Sequence, residues 1–214
     1  MRIEQMLELG WINLDADLKL ASQLRAKAES YGSENQSQPD AQAVFVEPIL
    51  RGLGWDTLTT AEVRREGQRN FPLGDLWLLV ENGSKIAVII DVKPITLRSI
   101  RERDRRQLET AVRTLLEAEE GDPGNNRKWR LDRGDGRAFL YGILTNGRKW
   151  EIYDFGVQKA GPDASENAPI LLAKFDLLTP GEGWGELSSH VAKEVIERKV
   201  SEFLDSGDHQ KSKS

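Results

Sequence analysis

Asp75, Asp91 and Lys93 are the residues of this chain whose types and spacing could do chemistry. Asp75 opens one apolar run, Leu76 to Val80, and Asp91-Val92-Lys93 closes a second, Ile86 to Ile90, with Asn82-Gly83 between them. Asn-Gly between two apolar runs signals a hairpin, which brings both acids and the lysine to its open end. Two carboxylates make a minimal oxygen set for a hard divalent cation such as Mg²⁺, with waters and a substrate phosphate completing the shell. Such an ion stabilises charge developing on a phosphate and lowers the pKa of an attacking water. A lysine beside it can orient or deprotonate that water, or neutralise the transition state.

The acid-x-Lys pattern alone carries little information, since it also occurs at Asp17-Leu18-Lys19 and Glu197-Arg198-Lys199. Those two lie in segments of helical period, where they decorate a solvated face. Asp91 instead ends a β-branched run that reads as a strand buried on both faces, where an unpartnered carboxylate is costly. Strand alternation puts Ala87, Ile89, Asp91 and Lys93 on one face and Ile86, Val88 and Ile90 on the other. A plain two-residue Asn82-Gly83 turn, however, pairs Asp75 with Ile90 and points it away from Asp91. A shared metal site therefore requires a register shift of one, through a three-residue loop Asn82-Gly83-Ser84 or a β-bulge near Gly74 or Asp91. The competing reading is a strand end carrying an ordinary salt bridge.

The elements that must position these residues follow from periodicity. An amphipathic helix is expected over residues 15–30, then a polar linker through Pro39, with Asp40 able to cap a helix from about Ala41 to Leu53. Pro48 should kink that helix or mark its first turn. A polar strand near 62–66, hairpin strands at 75–81 and 85–92, and a break at Pro94 come next. A helix over about 99–119 presents Leu108, Val112, Leu115 and Leu116 as its buried stripe, with Gln107 beside them. Strands at 138–144 and 150–155 flank Asn146-Gly147, a last strand covers 170–175, a helix covers about 186–204, and the tail from residue 206 reads as disordered. The order predicts a mixed central β-sheet with helices packed on it, in the α/β or α+β class. The segments are residues 1–40, a core over 41–180, a C-terminal helix over 181–205 and the tail at 206–214.

With 214 residues and no cysteine, disulfides and cysteine metal sites are excluded. No apolar run is long enough to span a bilayer and Met1-Arg2-Ile3-Glu4 lacks a signal-peptide core, so a cytoplasmic location is the expectation. His190 and His209 are too separated for a zinc cluster or a Ser-His-Asp arrangement. The net charge is −5, yet residues 61–150 carry 18 basic against 14 acidic side chains. Arg98, Arg101, Arg103, Arg105 and Arg106 form one basic group, and Arg127, Lys128, Arg130, Arg133 and Arg137 a second. Either could meet phosphates, or the first could be a solvated face balanced by Glu102 and Asp104. Trp77, Trp150 and Tyr153 read as core, and Trp55 as the plug of a helix end.

Taken in order, Glu47-Pro48-Ile49-Leu50, Leu53-Gly54-Trp55-Asp56, Gly74-Asp75, Ile90-Asp91-Val92-Lys93-Pro94, Gln107, and Gly142-Ile143-Leu144-Thr145-Asn146-Gly147 with Trp150 and Tyr153 form a series. Residues 43–155 thereby resemble the N-terminal nuclease domain of the R subunit of type I restriction enzymes, in the PD-(D/E)xK superfamily. The resemblance implies a restriction-endonuclease-like core and DNA cleavage with Mg²⁺, or Mn²⁺ in its place. It implies Asp75 and Asp91 as metal ligands, with Glu47 adding to them, and Lys93 as base or charge stabiliser. Gln107 would hold Lys93, the water or the DNA backbone. Asp91 stands where glutamate is common in the family. No Gly-x-x-x-x-Gly-Lys-Ser/Thr occurs, so a nucleotide-driven motor is not expected here and the chain would act alone, as a homodimer or through a protein partner. The rival function is an inactive module on the same fold that binds nucleic acid or protein.

Overall fold

The structure is a computed structural model that describes residues 37–65, 74–94, 100–118, 126–133, 135–156, 158–159, 169–177 and 183–211. Ser22, Gln23 and Ala26 are also described, and are helical; the rest of the helix expected over 15–30 lies outside the described residues. The strands are β1 (Val63–Arg65), β2 (Leu76–Val80), β3 (Lys85–Val92), β4 (Leu131–Asp132), β5 (Arg137–Phe139), β6 (Tyr141–Thr145), β7 (Lys149–Asp154), β8 (Gln158–Lys159) and β9 (Ile170–Asp176). The main sheet runs β1-β2-β3-β6-β7-β9, and β4-β5-β8 form a small second sheet. β3 pairs β6 in parallel while the other neighbours in the main sheet are antiparallel. This is the mixed α+β fold that the sequence pattern predicts.

Both faces of the main sheet are covered, which explains why Ile86 to Ile90 is uniformly apolar. One face carries α3 (Glu102–Leu116), whose Leu108, Val112, Leu115 and Leu116 pack with Trp77, Ile89 and Leu144. The other face packs against α1 (Gln38–Ala41), α2 (Glu47–Gly52), α4 (Trp184–Val191) and α5 (Lys193–Lys211). Trp77 and Trp150 are both core residues, as expected. No described helix is long and apolar enough to cross a membrane.

Three boundaries differ from the sequence reading. The helix expected from Ala41 begins at Gln38, because Ser37 is its N-cap and Asp40 completes a capping box with it. Its Pro48 is accommodated by a π-helical stretch, Gln42–Val46, in which Glu47 N–H donates to the Gln42 carbonyl rather than to residue 43. A proline lacks the N–H and its ring crowds the carbonyl four residues back, so a widened turn just ahead of Pro48 relieves both problems. The C-terminal helix is broken at Ala192, where Trp55 Nε1 donates to the Val191 carbonyl at 2.8 Å and Lys193 N–H donates to the Leu53 carbonyl at 2.9 Å. Trp55 thus plugs the end of α2 as expected and ties it to α4. Helical backbone continues to Lys211, into the segment expected to be a tail.

The beginning of α3 is fastened to the sheet by charge. Arg105 grips Glu151 of β7 with two hydrogen bonds of 2.8 Å, while Tyr153 Oη donates to the same carboxylate at 2.7 Å and Lys174 lies 2.9 Å away. Burial would raise the Glu151 pKa, but its hydrogen bonds to Arg105, Lys174 and Tyr153 outweigh it and hold the carboxyl down at about 2. Arg105 is therefore committed to the fold rather than available to a ligand. Because Glu151 is depressed in the folded state, its contribution is present above about pH 4.5 and is lost as pH falls toward 2. Glu151→Gln should cost about 2 kcal/mol near neutrality and remove part of the acid limb of the stability profile, read from denaturant melts between pH 2 and 7.

Candidate active site

The chemistry-bearing residues converge because β3 contains one residue too many. Leu79 pairs with Ile86 and Val80 with Lys85, but Leu78 pairs with Val88, Trp77 with Ile89 and Leu76 with Ile90. Ala87 is the extra residue. The turn itself is longer than the two residues expected, spanning Glu81 to Ser84, with Glu81, Asn82 and Gly83 all at positive φ. The required register shift is thus real, but it lies in mid-hairpin rather than in a three-residue loop or beside Gly74 or Asp91. Its consequence shows in the packing: Ile86, expected opposite Ile89, joins it on the α3 side, while Ala87 joins Val88 on the other. Past the bulge, Asp75 follows Trp77 in alternation and Asp91 follows Ile89, so both carboxylates face the α3 side.

Gly74 makes the entry to β2 possible. It sits at φ +133°, and a Cβ there would meet Ile89 Cγ2 at 2.8 Å. Asp75 N–H then donates to the Ile90 carbonyl at 3.0 Å. The Asp75 carboxylate is held at both ends, accepting from Val92 N–H through Oδ2 at 2.5 Å and from Gln38 Nε2 through Oδ1 at 2.5 Å. Asp91 is 3% exposed and Asp75 6%. Lys93 Nζ donates to Asp91 Oδ1 at 2.9 Å and lies 2.7 Å from Oδ2, a buried oxygen that receives no hydrogen bond. Gln107 Oε1 accepts from Lys93 Nζ at 2.9 Å, so α3 reaches the lysine. Lys93 N–H donates to the Thr145 carbonyl at 2.7 Å, extending the β3–β6 ladder to the lysine itself. The cluster sits at the carboxyl ends of the two parallel strands, β3 and β6.

Glu47 does not join this cluster. Arg65 of β1 clamps its carboxylate at 2.8 and 2.9 Å, and Gln42 donates to it at 3.2 Å. Among the described residues no three acidic, histidine or cysteine side chains lie close enough together to hold a metal ion, so the expected third acid is absent from the pair. A different residue takes part: Gln38, which sequence reasoning left in the polar linker. The signal that could have found it is Ser37-x-x-Asp40, which starts the helix at Gln38 and fixes that side chain in its first turn.

The basic groups divide. Arg98 lies outside the described residues, and Arg103 and Arg106 are exposed beside Asp104 and Glu102. In the second group, Arg130 is buried against Asp132 and the carbonyls of Leu116 and Ala118, and Arg133 binds Asp135 and the Phe203 carbonyl. Those two arginines serve the fold, while Arg127 and Lys128 are exposed. Comparison with protein-family models, with curated proteins and with solved structures found no match.

Electrostatics set the state of the carboxyl pair. Burial, followed by a hydrogen bond and like-charge repulsion from Asp91, pushes the Asp75 carboxyl up to about 7, against the lowering by Val92 N–H and Lys93. The folded chain therefore binds a proton that the unfolded chain releases near pH 4, so this site's stability contribution falls as pH rises from about 4 to 7. Asp75→Asn should gain on the wild type across that interval, by about 1 kcal/mol or more at pH 8 relative to pH 4. Denaturant melts of both proteins with a chelator present check this; a difference that does not change with pH would contradict it.

Proposed function

We propose that this chain is a divalent-cation-dependent phosphodiester hydrolase acting on DNA, an endonuclease of the kind that the R-subunit nuclease domains exemplify. The observation that carries the reading is the convergence of the buried Asp75, Asp91 and Lys93, with Gln107 of α3 bonded to the lysine from the exposed side. A salt bridge at a strand end needs only Lys93 and Asp91. It gives no reason to bury a second carboxylate beside the first, with a bulge and a positive-φ glycine to bring it there.

The donor set suits a hard cation: two carboxylates, one of them with a buried oxygen that no hydrogen bond satisfies. Asp75 and Asp91 would hold Mg²⁺ or Mn²⁺, which when bound supplies positive charge to the phosphate and acidifies a water. Val92 N–H fixes the orientation of Asp75. Gln107 steadies the Lys93 ammonium, which is placed to donate to a non-bridging phosphate oxygen or, once deprotonated, to take the proton of the attacking water. The exposed Arg103 and Arg106 on α3 offer charge to the flanking backbone. An inactive binding module is the weaker reading, since it needs none of these groups in register.

Asp91→Asn and Lys93→Ala should each abolish cleavage of plasmid or linear DNA in Mg²⁺ or Mn²⁺ while leaving the fold intact. Their metal affinities should part: Asp91→Asn weakens binding, whereas Lys93→Ala leaves it intact or tightens it by removing a nearby positive charge. Gel assays of cleavage paired with titration calorimetry test this. Equal loss of metal binding in both variants would contradict these roles, and wild-type protein inert on plasmid, linear and single-stranded DNA in both metals would contradict the nuclease reading.

A further inference from the structure

Gln38 is the one polar side chain from outside the β2–β3 hairpin that bonds directly to the Asp75 carboxylate among the described contacts. It is half-buried, and the Ser37–Asp40 capping box locks its backbone at the start of α1, with Ser37 N–H and Oγ both donating to Asp40. Its amide lies 2.5 Å from Asp75 Oδ1. Neighbouring ligands of an octahedral Mg²⁺ are about 3 Å apart, given metal–oxygen distances of about 2.1 Å. An ion taken up by Asp75 Oδ1 on the side that faces Gln38 would have the Gln38 amide at the edge of its coordination shell. An amide NH₂ group facing a cation is repelled, but a half-turn about the terminal torsion exchanges nitrogen for oxygen without moving the backbone.

We propose that Gln38 is the third protein ligand of the cation site, supplying its amide oxygen where Glu47, held by Arg65, supplies none. This rests on the cation-centre reading above and adds to it a residue that the acid-x-Lys pattern does not contain. Without the ion, Gln38 donates to Asp75 and occupies the position; with it, the same side chain turns and coordinates.

Calorimetric titration of the full chain with MgCl₂ and with MnCl₂, in the absence of DNA, tests the assignment. Gln38→Ala should weaken binding about tenfold, and Gln38→Glu should tighten it, because a carboxylate at that point adds charge to the ligand set. A residue that merely donates to Asp75 competes with the ion for Oδ1, so Gln38→Ala would then leave binding unchanged or tighten it. Wild-type affinity in Gln38→Ala, or weakened binding in Gln38→Glu, would overturn the role of Gln38 while leaving the cation centre standing, provided Asp91→Asn loses binding. If wild type binds neither ion, the cation centre fails and Gln38 with it. Should Gln38→Ala melt at a lower temperature than wild type, Gln38→Met, which keeps the stem but has no oxygen to offer, decides by the same loss of binding.

Discussion

One inserted residue governs this site. Without Ala87, the strands β2 and β3 would pair so that Asp75 and Asp91 project from opposite faces of the sheet, and no single ion or substrate atom could meet both. The bulge moves the register by one, turns Ile86 to the α3 side, and leaves the last turns of the hairpin in phase for the two acids. Its cost is the unpaired residue in the ladder, and the long turn from Glu81 to Ser84 with three residues at positive φ completes the irregular half of the hairpin. The regular half carries Asp75 and Asp91 at its open end.

The rest of the fold holds that geometry still. β3 and β6 run in parallel at the centre, so the carboxyl end of the sheet is where Asp91, Lys93 and the Thr145 carbonyl meet. α3 lies across the same face and is pinned by Arg105 to Glu151, two residues before Gln107 receives the Lys93 ammonium. Gly142, between Ile89 and Tyr153 in the sheet, permits the close approach: a Cβ there would meet Phe155 at 2.5 Å and Leu108 of α3 at 3.2 Å. On the opposite face α1 and α2 close the core, and Gln38 at the start of α1 bonds Asp75 at the hairpin's open end. Three layers thus fix the position of one carboxyl pair.

Much of this was legible in the sequence, and the parts that were not share a cause. The β-branched run at Ile86–Ile90 and the apolar stripe of α3 declare themselves through periodicity, and the conflict between a plain hairpin and a shared site announced a register shift. Its location did not follow, because a bulge among Ile86, Ala87 and Val88 leaves the composition of an all-buried strand unchanged. Arg105 and Arg130 look like surface charge in sequence, yet Glu151 for the one and the Leu116 and Ala118 carbonyls for the other are partners set by tertiary contact. The resemblance placed Glu47 with the metal ligands, but Arg65, eighteen residues on and next to it only in the fold, takes its carboxylate. Gln38 was hidden in a polar stretch whose capping box was read one turn too late.

The central claim is that the bulge at Ala87 makes Asp75 and Asp91 joint holders of one cation. A crystal of the protein soaked in Mn²⁺, with the anomalous signal of manganese mapped, measures this directly. The account predicts one strong peak at coordination distance from an oxygen of Asp75 and an oxygen of Asp91, on the α3 side of the sheet. A manganese peak liganded by only one of the two aspartates, or none at the hairpin's open end at saturating metal, would contradict it.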